Sequence, residues 1–238
     1  YVVAYPITFY RVYPRLRPSF FLFQKGMISE LMGLGVKFFV LQLSGMILFA
    51  TSNLLISNLF GPEEVTPYQV AYKYFSIIFM IFSIVVTPLW SAVTDAYVRR
   101  DLLWIKGVTN KMMKILSLFC ISIIILGLIS PWAYQIWTMG KVVVPHTLTI
   151  LLGIYIFVII FSLYFAHILY GIGKIFVQML VTLCEAIVFV PLALFLSKSW
   201  GVEGIITALI ISNLPCAITN VIQYNKIING VAHGFWNK

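Results

Sequence analysis

Charged residues divide this chain into long uncharged stretches. Between Lys37 and Glu63 lie 25 uncharged residues, between Lys73 and Asp95 21, and between Lys114 and Lys141 26. Between Lys141 and Lys174 lie 32, and between Glu203 and Lys226 22; residues 175–197 are uncharged apart from Glu185. A bilayer core of about 30 Å is crossed by about 20 apolar residues at a rise of about 1.5 Å each. The pattern predicts six membrane spans, at 34–57, 68–92, 115–137, 147–171, 175–197 and 203–224. The connections FGPEEVTP, SPWAYQIWTMGK with VVVP, GIGK and SKSWG hold the Gly and Pro that end helices. Trp90, Trp132, Trp137 and Trp200 sit near span ends, where an interfacial belt places them.

Composition agrees. The 238 residues are 61% hydrophobic and 10% charged, with a mean hydropathy of +1.01. A soluble domain carries about 25% charge, so a soluble enzyme, a disordered chain and a nucleic-acid-binding domain are excluded, and no nucleic-acid partner is expected. Cys120, Cys184 and Cys216 lie in apolar runs without metal-ligand spacing.

The opening YVVAYPITFY reads as the tail of a preceding membrane helix, residues 1–10. Residues 11–32, with Pro14 and Pro18, read as a cytoplasmic linker, 33–225 as the six-helix bundle and 226–238 as a cytoplasmic tail. Six spans place both ends on one side. Of the 16 Lys and Arg, Lys73, Lys141 and Lys198 then fall on the opposite side and the rest share the side of the ends. Basic residues gather in the cytoplasm, so the net charge of +9 is mainly a topology signal. In residues 95–114, Val98, Leu102, Ile105, Val108 and Met112 recur at helical steps. They predict an amphipathic helix on the inner leaflet or, alternatively, a docking site for a cytosolic partner.

Charge inside the membrane is scarce, and so informative. Glu185 sits near the middle of the fifth span. It reads either as a protonated carboxyl bonded to a neighbouring helix or as a coupling site for a proton or cation. Lys73 lies one to two turns into the second span, flanked by Tyr68, Tyr72 and Tyr74. It reads either as a snorkelling lysine or as an anion contact in a cavity whose tyrosines meet sugar rings. The first span carries Gln42, Ser44, Thr51, Ser52, Asn53, Ser57 and Asn58, for helix–helix bonding or for a cavity wall. His167 reads as structural, and Asp95 as interfacial, pairing with Arg99. Pro88, Pro191 and Pro215 bend their helices. No close carboxylate pair, Ser/His/Asp set or Gly-rich phosphate loop is present, so no catalytic residue, metal or cofactor is expected, and the chain does not read as an enzyme.

Residues 56–106, with T-P-Y-x-x-A-Y-K-Y-F and P-L-W-S-A-x-T-D-A-Y, resemble the Wzx-type oligosaccharide flippases of the multidrug/oligosaccharidyl-lipid/polysaccharide exporter superfamily. RLRPSF at 15–20, ILFATSNLLISNLFGP at 47–62 and GVEGIITALIISN at 201–213 resemble the same family. The resemblance implies an all-α membrane protein of two six-helix bundles around a cavity, MATE-like, of which this chain is the C-terminal half. It implies movement of undecaprenyl-diphosphate-linked oligosaccharide to the outer leaflet of the bacterial inner membrane, driven by an ion gradient. Lys73 matches the motif lysine. Members often carry Asp-Asn where this chain has Ser52-Asn53; if that Asp is their cation site, either Glu185 is the coupling residue here or coupling differs.

The expectation is therefore a flippase half with a substrate cavity of Lys73, Tyr68, Tyr72 and Asn53 and coupling at Glu185. Its partners would be the lipid-linked oligosaccharide, membrane lipids, the N-terminal six-helix half and polysaccharide polymerase and assembly proteins. The alternatives are a multidrug or cation exporter of the same superfamily and a non-transporting membrane scaffold for polysaccharide assembly.

Overall fold

The computed structural model describes residues 4–16 and 25–237. Tyr1–Val3, Arg17 and Pro18 of the expected linker, and Lys238 of the expected tail lie outside the described residues. The chain divides into two units, Tyr1–Val36 and Lys37–Lys238. In the first, α1 (Ala4–Ile7) widens into a π-helical turn at Thr8–Val12, and a 3-10 turn follows at Pro14–Leu16. Helix α2 (Lys25–Phe60) begins inside the stretch expected to be linker. Nothing after Pro18 interrupts it, so the helix extends upstream of its apolar part.

The second unit holds the rest of α2 and the helices α3 (Pro62–Val98), α4 (Leu102–Trp137), α5 (His146–Ile172) and α6 (Phe176–Ile228). All five long helices are long and apolar enough to cross a membrane. Gly61, at φ 97°, separates α2 from α3, and Pro62 opens α3 at a position where no N–H is needed. Asp101 caps α4 by accepting from Trp104 N–H at 2.9 Å.

One expectation changes here, and another is refined. Residues 102–114 are not a separate surface helix but the first turns of α4. Their apolar stripe packs inward: Ile105 is fully buried, and Tyr164 OH of α5 donates to Thr109 O at 2.5 Å. The expected fifth and sixth spans correspond to the two arms of α6, which is broken between them at Gly201 (φ 59°, ψ −138°). That conformation is open to glycine and closed to side chains. The chain folds back there, since Glu185 and Thr182 of the first arm meet Cys216 of the second. A Cβ on Gly204 would lie 2.5 Å from Leu196 O, so the reversal is tight.

Helix α5 is the packing centre of this unit, against α3, α4 and α6. Of its most apolar window 56% is buried, against 17–22% for the other long helices. Gly171 lets α3 come close: a Cβ there would lie 2.7 Å from Val93 Cβ, and Thr94 Oγ1 donates to Gly171 O at 2.9 Å. The apolar side chains left outside, such as Leu118, Ile187 and Phe195, form the surface that hydrocarbon requires.

Candidate functional site

The polar side chains of the membrane helices gather in two places. The first is on α3. Gln69, Lys73, Ser76, Met80, Ser83, Thr87, Ser91 and Thr94 recur at steps of three and four, which aligns them on one helix face. Lys73 is exposed on it. Ser76, Thr87 and Ser91 donate to carbonyls of their own helix at 2.8, 2.6 and 3.1 Å. The hydroxyl oxygens keep lone pairs for outside donors. Two shallow grooves follow this face. One of about 370 Å³ is lined by Ser76, Phe79, Met80 and Ser83. The other, of about 820 Å³, is lined by Thr87, Trp90, Ser91, Thr94 and Asp95.

Asn53 joins the upper end of this face from α2. Its Oδ1 accepts from Gln69 Nε2, and its Nδ2 donates to Phe49 O at 2.9 Å. Tyr72 packs between the rings of Phe49 and Tyr68, at centroid distances of 5.0 and 6.0 Å. The four residues expected to share one cavity therefore separate. Asn53 and Lys73 stand on the exposed face, through Gln69. Tyr72 is half-buried, and Tyr68 is fully buried on the other side of α3, its hydroxyl without a partner. Five residues along a helix turn a side chain by about 140°, which is why Tyr68 and Lys73 diverge.

The second place lies between α5 and the two arms of α6, around Glu185, which is 5% exposed. Its Oε1 accepts from the backbone N–H of Cys216 at 3.1 Å. Pro215 precedes that N–H; lacking a donor and crowding the preceding turn, it loosens the helix where Glu185 arrives. Thr182 Oγ1 lies 3.7 Å from Cys216 Sγ, and Asn220 Nδ2 donates to Ser162 O at 3.3 Å and to Ser162 Oγ at 3.2 Å. Lower down, Gln178 Nε2 donates to Tyr170 OH at 3.0 Å. Gln223 Nε2 donates to Lys174 O at 3.2 Å and Trp236 O at 3.1 Å. Tyr155 of α5 is buried and within electrostatic range of Glu185 and of Tyr68 and Tyr72.

Sequence reading picked out Glu185 and missed its companions Gln178, Asn220, Gln223 and Tyr155. A signal was present. Glu185 and Cys216 lie 16 and 15 residues from Gly201, and Gln178 and Gln223 lie 23 and 22. Polar positions mirrored about a glycine mark a helical hairpin with facing polar stripes. His167 Nδ1 donates to Leu163 O of its own helix at 2.9 Å, beside the rings of Trp90 and Tyr170. Asp95 and Arg99 form an exposed ion pair at 2.8 Å. A third recess, of about 540 Å³ between α4 and α5, is lined almost wholly by apolar side chains such as Ile123, Leu128 and Phe157. It is remote from this chemistry.

No family model matches the sequence, and no curated protein matches it. A solved structure does: the outward-facing conformation of a multidrug resistance MATE family transporter of the MOP superfamily, with TM-score 0.72 and 17% identity. The match covers 97% of this chain and 54% of that chain, so the sequence spans about half the length of its structural neighbour. The fold is thus an all-helical, MATE-like membrane fold.

Proposed function

We propose that this chain is the C-terminal six-helix half of a transporter that flips polyprenyl-diphosphate-linked oligosaccharide across the bacterial inner membrane. On this reading the spans are α2 to α5 and the two arms of α6, with both ends cytoplasmic. The carrying observation is the polar face of α3. It runs the length of a spanning helix from Gln69 to Thr94, is grooved, and includes an exposed lysine. The charge and the amide on such a face are costly against hydrocarbon, which suits the face to a cavity wall. Lys73 supplies a point charge for a diphosphate, the hydroxyls supply acceptors for sugar O–H groups, and the N-terminal half supplies the opposite wall. The two halves rock to expose the cavity to each leaflet in turn, and Glu185 couples that motion to an ion gradient.

The second reading is a multidrug exporter, favoured by the structural neighbour. A lysine on the cavity face disfavours cationic drugs, which ranks it below flipping. A scaffold without a cavity leaves the grooved face of α3 unexplained. The test is the full-length protein in vesicles loaded with a fluorescent lipid-diphosphate oligosaccharide. Headgroup movement to the opposite leaflet is expected; drug efflux without headgroup movement would overturn the proposal.

A further inference from the structure

Three buried amide side chains between α5 and the arms of α6 have an oxygen without any donor: Gln178 Oε1, Asn220 Oδ1 and Gln223 Oε1. They are 6%, 1% and 0% exposed. Exchanging the amide N and O does not relieve Gln223, whose nitrogen donates to two backbone carbonyls that offer no hydrogen in return. In Asn220 an exchanged oxygen would accept from Ser162 Oγ, but it would then face Ser162 O at 3.3 Å and leave the amide nitrogen in the place without a partner. A buried acceptor left bare costs more than its bond is worth, so folded proteins fill such places with water.

These oxygens do not form a cage. Gln178 and Glu185 are seven residues apart on the first arm, and Cys216 and Gln223 are seven apart on the second. Each interval spans about 10 Å of helix. The arms are antiparallel, so the levels interleave. Gln223 and Gln178 stand near the end that carries Lys174 and Trp236. Asn220 with Ser162 comes next, then Glu185 with Cys216. Acceptors spaced along a line suit a file of waters rather than one metal ion. Of the groups around Glu185, Cys216 on α6 and Tyr155 on α5 interact with it electrostatically. Lys174 and Lys226 stand at that end, held by Asn237 O at 2.7 Å and by the Trp236 ring at 4.4 Å.

We propose that this seam is an internal water file through which Glu185 exchanges protons with the end of the bundle bearing Lys174 and Trp236. The inference rests on Glu185 as the coupling residue and gives it a proton route from one side. No bond other than O–H is made or broken. A proton passes between water and a carboxylate oxygen, and the water file is restored by the next transfer.

The route is testable without transport. In the full-length protein in lipid, the Glu185 carboxyl band is identified by infrared difference against Glu185→Gln, and its response to a step from H2O to D2O at changed pD is timed. A prompt response is expected in the wild type. Asn220→Leu, which plugs the file, should slow it about tenfold, the factor one buried hydrogen bond is worth. Asn220→Ser, which leaves room for water, should restore it. Should Asn220→Leu fail to fold, Gln178→Leu gives the same readout lower in the file. A silent band in the wild type, or an unchanged rate in the plugged variants, overturns the water file. Full transport by Glu185→Gln with a prompt band in the wild type instead overturns the coupling role and leaves the route standing.

Discussion

Glu185 Oε1 accepts its 3.1 Å hydrogen bond from the N–H of Cys216, 31 residues further along the chain, and so joins the two arms of α6 at mid-height. The bond has two components that substitution separates. The acceptor oxygen holds the hairpin, and the ionisable proton is free for function.

Glu185→Gln keeps an acceptor oxygen and loses the titration. Its melting temperature in detergent should stay near that of the wild type, while gradient-driven transport in vesicles falls. Glu185→Leu strands the Cys216 N–H and should cost about 1–3 kcal/mol of stability. Equal transport by the Glu185→Gln variant and the wild type would sink the coupling reading.

The reversal at Gly201 should tolerate no side chain. With φ 59° and ψ −138°, Gly201→Ala is expected to cost about 1–3 kcal/mol, read as a lower melting temperature. Gly204→Val drives a Cβ into Leu196 O and should lower the yield of folded protein further.

Helices α3 and α5 meet where Gly171 faces Val93. Gly171→Val should destabilise by about 1–3 kcal/mol through overpacking. Gly153→Ala meets its nearest neighbour, Ile123 Cγ2, at 3.4 Å and should be nearly silent. Thermal unfolding of the pair, side by side, checks the contrast.

Lys73 is the charge that the flippase reading places against the diphosphate. Lys73→Ala should reduce headgroup translocation about ten- to a hundredfold, the worth of a charged hydrogen bond, and Lys73→Arg should largely spare it. Identical rates for the two variants would remove the anion contact.

Much of the fold was legible because hydrocarbon imposes a simple rule: uncharged runs of spanning length become helices. The rule fails where protein replaces lipid as the neighbour. Residues 102–114 carry the stripe of a surface helix, yet Ile105 is fully buried and Thr109 O is bonded by Tyr164 of α5, and periodicity does not say what an apolar stripe packs against. Glu185 stood out because a charge amid apolar residues is visible alone. Asn220 and Gln223 did not, because an amide acquires meaning only from the helix opposite, and the fold-back at Gly201 decides which helix that is. Tyr68 beside Lys73 in sequence looked like a shared cavity; the helical turn sends them to different faces.

The central place of α5 also bears on how the chain is made. Synthesis delivers α3 and α4 first, so two flanks of α5 find neighbours as it enters the bilayer. Its third flank, with Ser162 and Tyr170, waits for the α6 hairpin. During that interval its hydroxyls have no Asn220 or Gln178 to meet. A chain stopped before Gly201 would hold one arm without its mate, which makes the α6 hairpin the latch that closes the last polar flank of α5.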